Sequence, residues 1–129
     1  MIRVLIVDDN VTLLASMRMF LESYGDMHVE TACSADEGIA KLKQSHPHVA
    51  LLDIVMPNKW GDEVAEMIRN DPDLQNISFA FLTGSRKVVT AQEVSRAHGI
   101  IGGNKFLIKG MEPEKLREEI LALVKDRPR

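Results

Sequence analysis

The sequence predicts an α/β fold, a doubly wound parallel sheet of five strands with five helices. Four short apolar runs are near-continuous rather than alternating, which is typical of strands covered by helices on both faces. Helical patterns separate these runs, so that strands and helices alternate along the chain. The 129 residues, 45% of them hydrophobic, suit a single domain with its own core.

The predicted strands differ in how apolar they are. The four apolar runs are Val4–Val7, Val49–Leu52, Phe79–Leu82 and Phe106–Ile108. A fifth segment, His28–Ala32, has Val29 as its one strongly apolar residue. We expect this segment to be an edge strand with one face in water.

The first two helices have recognisable ends. Asn10 caps the first helix and Gly25 terminates it. Its apolar stripe consists of Leu14, Met17, Leu21 and Tyr24. Ser34, with Glu37 three residues later, predicts a capping box that opens a second helix running to about Gln44.

The spacing of apolar residues predicts the positions of the later helices. A third helix over Asp62–Asn70 places Val64, Met67 and Ile68 on one face, and a fourth is predicted over 91–98. The last helix has Pro113 in its first turn. Its buried stripe is Leu116, Ile120, Leu123 and Val124.

Right-handed crossovers leave few topologies for this order of elements, and we predict the flavodoxin-like order 2-1-3-4-5. Such sheets bind ligands beyond the carboxyl ends of their strands, at the switch point between strands 1 and 3. Residues that follow strands 1 and 3 are therefore the first candidates for a functional site.

Polar residues stand at that edge in every strand but the second. Asp8 and Asp9 follow strand 1, Asp53 follows strand 3, Thr83 ends strand 4 and Lys109 ends strand 5. Three carboxylates in one small space repel each other unless a cation lies among them, and oxygen ligands of this kind suit Mg²⁺. An ammonium and a hydroxyl hold phosphate oxygens. The set matches transfer of a phosphoryl group to a carboxylate.

Each of these residues also has an ordinary structural interpretation. An aspartate after a strand is common in turns and helix caps, Thr83 alone is typical of a turn, and Lys109 alone is typical of a solvated surface. Their joint placement at one edge of the sheet favours the functional interpretation.

The sequence resembles the receiver domains of bacterial response regulators over nearly its whole length. The matching stretches are Val4–Asn10, Leu52–Pro57 followed by Gly61, Phe81–Gly84, and Phe106–Lys109. Any one of these motifs is a weak signal, but together they are highly specific. The resemblance implies a signalling domain that catalyses only its own phosphorylation and dephosphorylation, and not an enzyme acting on other substrates.

The resemblance assigns a role to each residue of the acidic cluster. Asp53 would be the phosphoacceptor and the site of phosphorylation. Asp9 would bind Mg²⁺ directly, Asp8 would help directly or through water, and the backbone carbonyl of Val55 would be a further metal ligand. Mg²⁺ is thus the cofactor that the resemblance implies.

The resemblance also implies how a signal would leave the site. Lys109 would pair with the phosphoryl group, Thr83 would be the switch hydroxyl and Phe106 the switch aromatic. The face formed by the helix over 91–98, the fifth strand and the last helix would then change shape.

Two features depart from the family pattern. Gly110 stands where the family usually has a proline, often in a cis peptide, so the turn after Lys109 is expected to differ. The segment between Thr83 and Phe106 is a few residues longer than usual and contains Gly99–Gly103. We expect that glycine-containing segment to become more ordered on phosphorylation.

Three other functions are alternatives to a phosphorylation switch, and a sequence feature argues against each. A pseudo-receiver, which binds proteins and never takes phosphate, typically lacks some of the five edge residues that are intact here. A flavodoxin-like redox or nucleotide protein would have a glycine- or hydroxyl-rich loop where Asp8 and Asp9 stand. A metal-dependent hydrolase would have a separate general base, and none is apparent.

Composition and the resemblance set the expected context. The net charge of −3 argues against direct nucleic-acid binding, the single cysteine suits the cytoplasm, and no apolar run reaches the ~18 residues of a membrane helix. We expect a receiver domain over 1–125 and a tail or linker over 126–129. The expected partners are a histidine kinase or phosphotransfer protein and an unknown output domain or target protein. A second copy of the chain is a further expected partner, in a homodimer through the helix over 91–98, the fifth strand and the last helix.

Overall fold

A computed structural model describes residues 1–53, 61–83 and 106–125 and confirms an α/β fold built on a parallel sheet. Its elements are β1 Ile2–Val7, α1 Val11–Glu22, β2 Met27–Ala32, α2 Ala35–Ser45, β3 Val49–Asp53, α3 Gly61–Asn70, β4 Ser78–Thr83, β5 Phe106–Ile108 and α4 Pro113–Lys125. Four helices thus lie within the described residues. The fifth, predicted over 91–98, falls outside them.

The five strands form one parallel sheet in the order β2-β1-β3-β4-β5, as the crossover argument predicted. Val4 of β1 stands opposite Val29 of β2 on one side and Val49 of β3 on the other. β1 and β3 therefore end side by side, which brings together the residues that follow them.

Hydrophobic residues fill a layer on each side of the sheet. Leu5 and Val7 point into the layer under α2 and α3, whereas Val4 and Ile6 point into the layer under α1 and α4. All four of these side chains are at most 2% exposed. The sheet is covered on both faces, which explains why its central strands contain near-continuous apolar runs such as Val4–Val7 and Val49–Leu52.

The predicted N-caps of α1 and α2 are confirmed, but the capping box of α2 is incomplete. Asn10 Oδ1 accepts a hydrogen bond from Leu13 N–H (3.1 Å). Ser34 Oγ accepts a hydrogen bond from Glu37 N–H (3.2 Å). In a complete capping box the Glu37 carboxylate would accept in return from Ser34 N–H. It accepts instead from Cys33 N–H (2.7 Å), one residue earlier.

The prediction that Tyr24 belongs to the buried stripe of α1 was wrong. The helix ends at Glu22, and the Tyr24 side chain is 46% exposed. Its ring packs edge-on against Phe20, with centroids 5.3 Å apart, and lies 4.2 Å from the Arg117 guanidinium. Gly25 ends the segment at φ +81°, a left-handed conformation that favours glycine.

The apolar faces of the other helices follow the predicted stripes in part. Val64 and Ile68 of α3 are buried, as are Leu116 and Ile120 of α4. The remaining stripe residues, Met67, Leu123 and Val124, are half-buried. Within the described part of the chain, no helix is both long enough and apolar enough to cross a bilayer.

We expect Gly38→Ala to lower the free energy of unfolding by about 1 kcal/mol, although alanine is the better helix former. A Cβ at Gly38 would lie 2.8 Å from Val7 Cγ2, and the Val7 side chain is fully buried and stiff at χ1. Urea denaturation measures the change. In a Val7→Ala background the same substitution should instead be neutral or stabilising, and equal destabilisation in both backgrounds would contradict the contact.

Candidate functional site

Three carboxylates meet at the carboxyl edge of the sheet, as predicted. Asp53 is the last residue of β3, and Asp8 and Asp9 follow β1 directly. One carboxylate oxygen from each of the three lies within 4.8 Å of the others. Asp8 and Asp53 are buried and Asp9 is exposed, so the cluster has a closed inner side and an open outer side.

Lys109, directly after β5, places its ammonium between the two buried carboxylates. Its Nζ lies 2.8 Å from Asp8 Oδ2 and 3.1 Å from Asp53 Oδ2. Burial alone would lower the pKa of Lys109, but contact with Asp8 and the charge of Asp53 outweigh it and raise that pKa above its ordinary value. The lysine is thus a fixed positive charge at the site.

Backbone groups hold the Asp8 carboxylate in place. Asp8 N–H donates to the Ala32 carbonyl (3.0 Å), and Asp8 Oδ1 accepts from Asn10 N–H (2.9 Å). The buried Oδ2 lies 2.8 Å from the Lys109 ammonium. One oxygen thus orients the side chain, and the other faces the positive charge.

The cluster fits a divalent metal ion with oxygen ligands. In an octahedral Mg²⁺ site, ligand oxygens about 2.1 Å from the ion are about 3 Å apart when adjacent and about 4 Å when opposite. Carboxylate oxygens within 4.8 Å of each other need only small side-chain movements to reach such spacings. Among the described side chains, three carboxylates face one ammonium, so negative charge exceeds positive charge in this part of the site.

The structure does not describe the side chains of all the predicted site residues. Thr83 ends β4 opposite Ile108, and Phe106 begins β5 opposite Phe81, so both strands end at the predicted edge. The side chains of Thr83 and Phe106 lie outside what the structure describes, as does the whole of Val55. Their roles as switch residues and metal ligand remain predictions.

The turn after Lys109 differs from that of a proline-containing relative. Gly110 adopts φ +86°, which proline cannot reach because its ring holds φ near −65°. Glycine adopts this conformation without strain. The chain therefore places Lys109 at the site with a glycine turn.

The contact between Lys109 and Asp8 was not foreseen from the sequence, which suggested a lysine pairing with the phosphoryl group. A general rule could have predicted a positive partner for Asp8, since a buried aspartate needs a counter-charge. Topology alone, however, does not say which carboxylate a long flexible side chain will reach.

We expect Lys109→Gln to lower the free energy of unfolding by about 2 kcal/mol, because Asp8 and Asp53 would lose their counter-charge in a mostly buried site. Added Mg²⁺ should restore more stability to this variant than to the wild type. Thermal denaturation with and without Mg²⁺ measures both effects. Lys115→Gln, which removes a lysine that is 58% exposed, is the control, and equal losses in the two variants would refute the assignment.

The chain is similar to known proteins in both sequence and structure. The model of the response regulator receiver domain family matches residues 4–121. Response regulator Rre1 of Synechocystis is 30% identical over 115 residues, covering 89% of this chain and 48% of Rre1. Protein PilH of Pseudomonas aeruginosa is 30% identical over 125 residues, covering 96% of this chain and 98% of PilH.

A solved structure of a receiver domain has the same fold. A CheY-like response regulator receiver domain protein from Methanospirillum hungatei superposes with a TM-score of 0.83 at 27% identity, covering 98% of this chain and 95% of that one. The chain spans about half the length of several curated relatives that it matches, Rre1 among them, and nearly the whole of PilH. Since the family model covers almost all of the chain, the protein belongs to the response regulator receiver domain family.

Proposed function

We propose that this chain is a phosphoacceptor of two-component signalling, in which Asp53 takes a phosphoryl group from a histidine kinase or phosphotransfer protein. The observation that carries the proposal is the position of Asp53 Oδ2, 3.1 Å from the Lys109 ammonium within a cluster of three carboxylates. The Asp53 side chain is 7% exposed, so it sits at the floor of the site where a donor would have to present its phosphorus.

The proposed reaction is a displacement at phosphorus. An Asp53 carboxylate oxygen attacks the phosphorus of a phosphohistidine, and an oxygen–phosphorus bond forms as the nitrogen–phosphorus bond breaks. The bonding electron pair goes to the imidazole nitrogen, and the product on this chain is an acyl phosphate. The Lys109 ammonium stabilises the negative charge on the transferred oxygens.

Asp8, Asp9 and Asp53 would hold a Mg²⁺ ion, with the Val55 carbonyl as a further ligand by family resemblance. When bound, the ion would neutralise the carboxylates and the phosphoryl oxygens that approach them. Asn10 N–H contributes by fixing the orientation of Asp8, so its Oδ2 faces the cluster. The exposed Asp9 would complete the site from the solvent side.

The proposed output follows from where the strands end. The pairing of Thr83 with Ile108 places the end of β4 beside the residue that precedes Lys109. A Thr83 hydroxyl that turns to the phosphoryl group, and a Phe106 ring that follows it, would alter the face that includes β5 and α4. The segment Gly99–Gly103, proposed to become ordered there, lies outside the described residues.

The partners of this switch are proposed by class. A histidine kinase or phosphotransfer protein would supply the phosphoryl group, and an output domain, a target protein or a second copy of the chain would read the altered face. We propose a cytoplasmic location and no contact with nucleic acid by this chain itself. The alternative, a pseudo-receiver that never takes phosphate, is disfavoured because Lys109 and all three carboxylates are present together.

We expect one phosphoryl group to be added to the wild type by acetyl phosphate or a phosphohistidine donor in the presence of Mg²⁺. Intact-protein mass spectrometry detects the adduct, and Asp53→Asn should abolish it by removing the nucleophilic oxygen. Asp73→Asn, at an exposed residue after α3, is the matched control and should be labelled normally. Unchanged labelling of the Asp53 variant would reject the assignment, and an unlabelled wild type would favour the pseudo-receiver.

We also expect Asp9→Asn to weaken Mg²⁺ binding by about tenfold or more, because an oxygen that would contact the ion loses its negative charge. The same change should stabilise the metal-free fold slightly, since it relieves repulsion from Asp8 and Asp53. Isothermal titration calorimetry and thermal denaturation without metal measure the two effects. Equal Mg²⁺ affinity in wild type, Asp9→Asn and Asp73→Asn would place the metal elsewhere.

A further inference from the structure

The outer edge of β2 is covered by side chains from the flanking helices. β2 is at one end of the sheet, so alternate residues turn their backbone groups away from β1. Val29 N–H donates to Glu22 Oε2 (3.0 Å), and Cys33 N–H, just beyond the strand, donates to Glu37 Oε1 (2.7 Å). Between these two, the Thr31 carbonyl accepts from Lys41 Nζ.

These three side chains, the edge caps Glu22, Glu37 and Lys41, come from two different helices. Glu22 is the last residue of α1, and Glu37 and Lys41 are one turn apart on α2. Their side chains are only 31–42% exposed, so each folds back onto the strand. The backbone N–H groups of Val29 and Cys33 are the main reason that the pKa values of Glu22 and Glu37 are lowered.

The outer edge of β2 is long enough to pair with another extended strand. β2 has six residues and would offer a full row of donors and acceptors to another strand. At β2 the edge caps place ionised groups directly in the path of such a strand.

We propose that Glu22, Glu37 and Lys41 hold the β2 edge closed against the β2 edge of a second copy of this chain. A second copy is the natural occupant because a two-fold axis sets two identical edges antiparallel, and each then supplies the groups that the other needs. With the caps in place, pairing would bury charged side chains from both copies between the edges and strip them of water. The proposal is independent of the phosphoryl chemistry.

The test removes the caps. The variant Glu22→Ala/Glu37→Ala/Lys41→Ala should dimerise about tenfold more tightly than the wild type or better, as measured by sedimentation velocity over a concentration series. Glu66→Ala/Glu114→Ala/Lys43→Ala removes the same charges at exposed helical positions and should sediment like the wild type. Glu22→Gln/Glu37→Gln, which keeps the oxygen acceptors but removes two of the three charges, should dimerise more tightly than the wild type.

Hydrogen exchange locates the effect. In the single variants, Glu22→Ala should speed exchange of the Val29 amide, and Glu37→Ala that of Cys33. In the triple variant, protection of the Thr31 amide should rise with protein concentration. The proposal is overturned by a folded triple variant that sediments like the wild type, or by association without protection in β2. Should the triple variant not fold, unchanged exchange in the single variants overturns it.

Discussion

The contact of one ammonium with two buried carboxylates is the interaction on which this site depends. Lys109 Nζ lies within 3.1 Å of both Asp8 and Asp53, and without it two like charges would share a nearly water-free space. The contact also joins the ends of β5 and β1, although β3 and β4 lie between them in the sheet. The same contact therefore balances the buried charges and connects the ends of β1 and β5.

The charges of the described side chains at this edge are not balanced. Asp9 adds a third carboxylate on the solvent side, so among these side chains one ammonium faces three negative charges. A site with unmatched charge gives up some stability in the metal-free state and gains affinity for a cation. Lys109 contacts Asp53 and stands at the start of the turn leading to α4, so it links the carboxylates to that helix.

Charged side chains act differently at the outer edge of β2. At the site the charged side chains contact each other, whereas each of the edge caps has a backbone partner at hydrogen-bond distance. Glu37 illustrates how local sequence can mislead here. Its spacing from Ser34 correctly predicted the start of α2, but its carboxylate contacts Cys33 rather than Ser34, and so covers the strand end.

The sequence by itself determined the class of the sheet, its strand order within a small set, and the gathering of Asp8, Asp9 and Asp53 at one edge. Those features follow from backbone geometry, because apolar strands and right-handed crossovers leave the carboxyl ends of β1 and β3 adjacent. They do not depend on which way a side chain turns.

Only the tertiary structure decided the contacts of long or marginal side chains. Tyr24 fits a helical stripe, yet the helix ends before it and its ring lies beside Arg117. Lys109 reaches Asp8 as well as Asp53, and Glu22 turns back onto β2. A flexible side chain has several partners within reach at similar local energy, so its choice is settled by elements that are distant in sequence and close in the fold.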